Sequence, residues 1–249
     1  MRPGGLGLAL ALVVGLASCA KASNDQATGS LSSPASSATP TSVVAQAPMP
    51  PNPPMKAYSA PPAERLGVLA PNTGMPVGSK APDGHARDLD GKDVALSSLY
   101  ARGPILLIFY RGGWCPYCNF EIHAFTTGYP EYRKRGVTPV AVSVDKPEAE
   151  ARMQATYSIP FPVLSDSDVT IISSFHVARI VGTDESTKMK GFGVDLESYS
   201  GRTHHEIAIP ALFLIDRAGT VRWAHSDPDI RVRPSTEQIL AVIDAIGPT

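Results

Sequence analysis

Cysteine is scarce in this sequence: there are three, at positions 19, 115 and 118, in 249 residues. That excludes a disulfide-dense scaffold. No sign of charge dominates either. Lys and Arg total 22 against 23 Asp and Glu, a net charge of −1. A strongly basic nucleic-acid binder and a polyacidic tail are therefore excluded, and no nucleic-acid partner is expected. Internal repeats are lacking. Spanning a bilayer takes about 20 consecutive apolar residues, and no run of that length is present in a mature chain.

What is present begins with a leader. Leu6–Leu16 is an eleven-residue apolar run behind Arg2, the proportions of a secretory signal. It ends in Leu16-Ala17-Ser18-Cys19. Small residues before a cysteine resemble the lipobox of bacterial lipoproteins. The resemblance implies cleavage of residues 1–18 and lipidation of Cys19. Several acyl chains would hold the protein at a membrane, at ~0.8 kcal/mol per buried methylene. Ala20 and Lys21, rather than Asp, follow the cysteine. By the same resemblance this favours a periplasmic face of the outer membrane. Residues 20–75 then hold ten Pro, eight Ser and eleven Ala among 56 residues. Such a stretch buries too little apolar surface to offset its ordering entropy. Residues 19–75 are accordingly expected to be a disordered, partly polyproline-like tether, and 76–249 one folded domain.

In that domain Ile105–Tyr110 is an unbroken apolar run, as in a strand buried on both faces. Ile122, Phe125, Tyr129 and Tyr132 lie on one face of a helix over Asn119–Arg135, which Pro130 should kink and Gly136 should stop. A strand over Val137–Val144 and a helix over Pro147–Tyr157 follow, then a short strand, Phe161–Leu164, and a short helix, Asp168–His176. Gly182–Glu206 is polar and poorly periodic, an excursion from the core. Ala211–Ile215 and Thr220–Ala224 read as a hairpin turning at Asp216–Gly219, and Ser235 caps a last helix through Ile246. The order predicts an α/β fold with a mixed central sheet and helices on both faces.

Cys115 and Cys118 stand in Trp114-Cys115-Pro116-Tyr117-Cys118, between the buried strand and a helix. Unpaired N–H groups and the positive dipole end at a helix N-terminus favour thiolate over thiol. A partner one turn on can close an internal disulfide. As a mere structural bridge so small a loop would contribute only about 1.9 kcal/mol, so a redox couple is the better reading. A metal site is the alternative. One Cys-x-x-Cys is half a tetrahedral set, which His204 and His205 could complete. Without placed third ligands only weak copper binding is expected, and no resident metal or cofactor is assigned.

Trp-Cys-Pro-Tyr-Cys after a buried strand resembles the thioredoxin superfamily. The longer match is similar to its AhpC/TSA peroxiredoxin-like branch. It runs from Val77-Gly78-Ser79-Lys80-Ala81-Pro82-Asp83 through Phe109–Cys118 and Val140–Asp145 to Ile209-Pro210-Ala211-Leu212-Phe213-Leu214-Ile215-Asp216. A thioredoxin-like fold is implied, with Pro210 as the cis proline beside the cysteines and Trp114 packed over them. Glu121 is then either a proton shuttle or an ordinary helix carboxylate. The peroxiredoxin pattern, Pro-x-x-x-Thr-x-x-Cys plus a later Arg, puts the peroxidatic cysteine at Cys118. It also puts Arg111 where Pro belongs, Cys115 where Thr belongs, and Pro210 where Arg belongs. Arg111, Arg179 and Arg202 are candidate replacements for the missing Arg.

The resemblance implies a thiol oxidoreductase with a Cys115/Cys118 dithiol–disulfide cycle, fed by an external thioredoxin-like dithiol. A hydroperoxide substrate comes first and a protein disulfide second. A copper-binding assembly factor of the Sco type is third, disfavoured by its usual wider cysteine spacing. Peroxide chemistry makes Cys118 the attacking sulfur; thioredoxin chemistry makes it Cys115.

Overall fold

The computed structural model describes residues 58–247. The leader, Cys19 and the tether through residue 57 lie outside the described residues. The first half of the domain holds β1 (His85–Arg87), β2 (Asp93–Ala95), α1 (Leu96–Tyr100), β3 (Ile105–Phe109), α2 (Pro116–Lys134), β4 (Thr138–Ser143) and α3 (Pro147–Tyr157). The second holds β5 (Val163–Ser165), α4 (Thr170–Ser174), β6 (Ala178–Ile180), α5 (Thr183–Gly191), α6 (Leu196–Ser200), β7 (Glu206–Ala208), β8 (Ala211–Ile215), β9 (Val221–Ser226) and α7 (Thr236–Ile246).

Seven strands form one mixed sheet in the order β2-β1-β5-β4-β3-β8-β9. β3 is buried at every residue, as its unbroken apolar run requires. It runs parallel to β4 and antiparallel to β8, with Leu107 opposite Phe213. Phe213 meets Phe109 edge-on at 5.8 Å and Phe175 at 5.1 Å between ring centroids, an aromatic centre for the core. α2 packs on β4 and α7, and α3 packs on β5. This is the expected thioredoxin-like α/β arrangement.

Local chemistry sets the ends of the elements around the cysteines. Pro116 opens α2, where its missing N–H costs nothing. α2 continues through Pro130 to Lys134, so the proline does not end it. Gly136, at φ +71°, turns the chain out of the helix. Ser235 and Gln238 form a reciprocal capping box at the start of α7. The excursion at 182–206 contains α5 and α6. Only Ser186 and Met189 of α5 are buried, which is why it shows no helical period in the sequence.

One boundary is corrected. Residues 58–75, assigned by composition to the tether, are laid on the domain. The N–H of Ser59 donates to Arg231 O at 3.2 Å, and its carbonyl accepts from Arg233 N–H at 3.0 Å. Tyr58 stacks on Phe120 with centroids 4.0 Å apart. Arg65 pairs with the buried carboxylate of Asp227. Gly67 lies so close to the Trp223 indole that a Cβ there would stand 2.7 Å from Nε1. Few and separate anchors hold this segment, so its average composition gives no sign of them.

Phe213→Ala removes the shared ring of the aromatic centre. We expect a loss of about 3–5 kcal/mol in unfolding free energy, measured by urea denaturation. A loss below about 1 kcal/mol would show that the cluster does not carry the core.

Candidate active site

β3 delivers the chain into a loop, 110–114, that ends at Cys115 in the N-cap position of α2. Cys118 lies in the first turn. Both are free thiols, and their residues are 1% and 0% exposed. Arg111 serves both. Its backbone N–H donates to Cys118 Sγ at 3.4 Å, and its guanidinium Nη1 reaches Cys115 Sγ at 3.8 Å. The guanidinium also stacks on Trp114, 4.9 Å from the ring centroid.

The two sulfurs are electrostatically unlike. A hydrogen bond from the Cys118 thiol, and then the Arg111 and Arg233 charges, outweigh burial at Cys115 and lower its pKa to about 6. Burial, reinforced by Cys115, pushes the Cys118 thiol well up. Cys115 is thus the sulfur that ionises first.

Glu121 lies one turn beyond Cys118 and is buried. Burial raises its pKa, and Arg233, 3.1 Å away, opposes the rise. Arg233 is 7% exposed and comes from the segment after β9 that Ser59 holds. It was not singled out from the sequence, where it stands in a loop without a motif. The one available signal was indirect: a carboxylate on the buried side of a helix needs a cation.

A second acidic group supports the loop from behind. Asp145 accepts the Gly113 N–H at 2.8 Å, and burial raises its pKa to about 7. Beside it, buried Glu150 accepts from the hydroxyls of Ser143, at 2.6 Å, and Tyr110. Gly112, at φ +142°, is required here. A Cβ would stand 2.3 Å from Trp114 Nε1 and 2.7 Å from Asp145 Oδ1.

The structure therefore brings Trp114, Cys115, Cys118 and Glu121 together. Pro210 joins them. It lines a small internal cavity with Glu121 and Arg233, and also an outer cleft that Arg111 borders. Of the candidate arginines, Arg111 reaches the thiols and Arg202 pairs instead with Asp168 at 2.7 Å. His204 and His205 turn elsewhere. His204 Nε2 bonds to Ser167 O at 3.0 Å, and His205 Nε2 to Glu197 at 2.7 Å.

A Cys-x-x-Cys at the head of the main helix of a thioredoxin-like fold places two thiols where they can form and break an internal disulfide. The chain belongs to the AhpC/TSA family, whose model matches residues 77–224. Among curated proteins it is similar to thiol-disulfide oxidoreductase ResA of Bacillus cereus, 33% identical over 115 residues, covering 46% of this chain and 65% of the relative. It is also similar to chloroplastic peroxiredoxin Q of Oryza sativa subsp. japonica, 32% identical over 107 residues, covering 43% and 49%. The chain thus spans less than two thirds of either relative. Among solved structures, peroxidoxin BcpB of Mycobacterium tuberculosis superposes with TM-score 0.54 at 23% identity, over 69% of this chain and 98% of that one. Reduced Prx3 of Vibrio vulnificus in complex with hydrogen peroxide gives 0.56 at 16%, over 68% and 99%. At these identities the structural likeness speaks for the fold.

The charge asymmetry has a measurable consequence. Alkylation of Cys115 should fall off as pH drops through about 6, where the thiolate takes up its proton. Arg111→Gln should move that midpoint upward by roughly one unit. An unmoved midpoint would remove Arg111 from the account of the thiolate.

Proposed function

We propose that this protein is a membrane-anchored, extracytoplasmic thiol:disulfide oxidoreductase in which Cys115 attacks and Cys118 resolves. The observation that carries this reading is the Arg111 guanidinium 3.8 Å from Cys115 Sγ at the N-cap of α2, with Cys118 fully buried in the first turn behind it. The Cys115 thiolate attacks one sulfur of a substrate disulfide, forming a mixed disulfide and releasing the first substrate thiolate. Glu121 takes the proton of Cys118. The new thiolate attacks Cys115 Sγ, the second substrate sulfur leaves as a thiolate and takes up the proton held by Glu121, and a Cys115–Cys118 disulfide remains. An external dithiol, a thioredoxin-like protein, returns two electrons and one proton to the pair and loses its second proton to water. Trp114 and Pro210 frame the sulfur, and Arg233 balances charge at Glu121 and both cysteines.

The alternative is peroxide reduction, with Cys118 becoming sulfenic acid and Cys115 resolving it. The place of Cys118 in the peroxiredoxin pattern, and the Arg111 N–H aimed at its sulfur, favour it. The anchor rests on the sequence: a signal over residues 1–18, Cys19 as lipid carrier, and the following spacer. On that reading the domain faces the periplasm from the outer membrane.

Single mutants separate the two chemistries. Cys118→Ser should trap disulfide substrates as mixed disulfides through Cys115, and neither single mutant should react with peroxide faster than a simple thiol. A sulfenic acid trapped on Cys118 in Cys115→Ser after one equivalent of peroxide would instead establish the peroxidase. Detergent partitioning checks the anchor: the mature wild type should enter the detergent phase and Cys19→Ser should not. A water-soluble wild type with unmodified Cys19 would refute lipidation.

A further inference from the structure

Two arginines from distant parts of the chain converge beside Cys115. Arg111 follows β3, and Arg179 lies on β6. Between them sits Glu185 of α5. Its carboxylate accepts from Arg179 Nη1 at 2.8 Å and Nη2 at 2.6 Å, and stands 3.6 Å from Arg111 Nη2. The other terminal nitrogen of Arg111 is the one 3.8 Å from Cys115 Sγ. Both arginines border a cleft of about 230 Å³ whose wall includes Ile209, Pro210 and Ile230. Asp227 is also in that lining, but it is paired with Arg65.

We propose that Arg111 and Arg179 form a carboxylate-recognition site at the Cys115 thiol, and that Glu185 is an internal stand-in for the carboxylate of a small disulfide substrate. This rests on the reading that Cys115 is the attacking sulfur. The forked pairing of Arg179 with Glu185 is the geometry in which arginine selects a carboxylate. Arg111 touches the stand-in and the nucleophile at once. A carboxylate bound there therefore brings the adjoining atoms of its molecule towards Sγ. Glu185 itself can give way. Its side chain is 40% exposed, on a helix with few buried residues, and exposed ion pairs are weak. The cleft volume and the 1% exposure of Cys115 fit a small molecule and exclude the unrearranged approach of a bulky one.

Paired alkylations of the reduced full-length protein test the site. Iodoacetate is anionic and iodoacetamide neutral, and with both the Cys115 thiolate displaces iodide to form a thioether. The thiolate fraction therefore cancels from the ratio of rates, followed on the Cys115 peptide by mass spectrometry. Glu185→Gln should raise the iodoacetate-to-iodoacetamide ratio about three- to tenfold, and Arg179→Gln should lower it by a similar factor. Glu185→Gln keeps the side chain's size and decides the matter alone should Arg179→Gln not fold. Ratios within about twofold of wild type overturn the site. In a second arm, dithiodiglycolate should oxidise the cysteine pair faster than neutral hydroxyethyl disulfide; equal rates overturn the substrate class. A shifted alkylation ratio with neither disulfide reacting upholds the carboxylate site and overturns the disulfide reading instead.

Discussion

A sulfur buried to 1% exposure can carry charge only if the protein replaces the lost water. That requirement organises the centre of this molecule. Each compensating group comes from a different element: the Cys118 thiol from the first turn of α2, the Arg111 guanidinium from the loop after β3, and Arg233 from the segment beyond β9. Arg233 could not act if the sheet did not bring β3 and β8–β9 side by side. Full burial of β3 thus does more than fill the core. It fixes the point from which the reactive loop starts.

The loop must also be held without placing negative charge against the thiolate. Asp145 holds it through the Gly113 N–H, and burial together with the Cys115 charge raises the Asp145 pKa. Burial moderates that conflict. Below its raised pKa of about 7 the carboxyl is increasingly neutral, and Glu150 beside it resists a second charge. Loop support and thiolate formation are compatible because these acids are dry. The Gly112 conformation, with no room for a Cβ, is the backbone expression of the same close packing.

The legible parts of the fold carry their information locally. β3 shows itself as an unbroken apolar run, α2 as a spaced apolar face behind a proline, and α7 as a Ser–Gln box. β1 and β2 have three residues each, too few for an alternation to register, and their hairpin depends on Asp88 accepting two backbone N–H groups. The docking of 58–75 is hidden for another reason: it depends on isolated contacts with residues far along the chain. Within the site, the cysteines, Trp114, Glu121 and Pro210 were legible because they sit in or near a motif. Arg233 and Glu185 were not, since their meaning comes entirely from long-range partners.

The departures from the peroxiredoxin pattern make sense as a set. The arginine missing at Pro210 is replaced by two cations in other places, Arg111 against Cys115 and Arg233 against Glu121 and both sulfurs. Cysteine in place of threonine at 115 adds a second ionisable group about one helical turn from the first. Arg111 in place of proline then puts the nearer charge on that added group. In the proposed cycle the cation at 111 serves the attacking sulfur, and the buried Glu121–Arg233 pair takes the proton of Cys118. In the proposed cycle the same scaffold that resembles a peroxidase is thereby turned toward disulfide exchange.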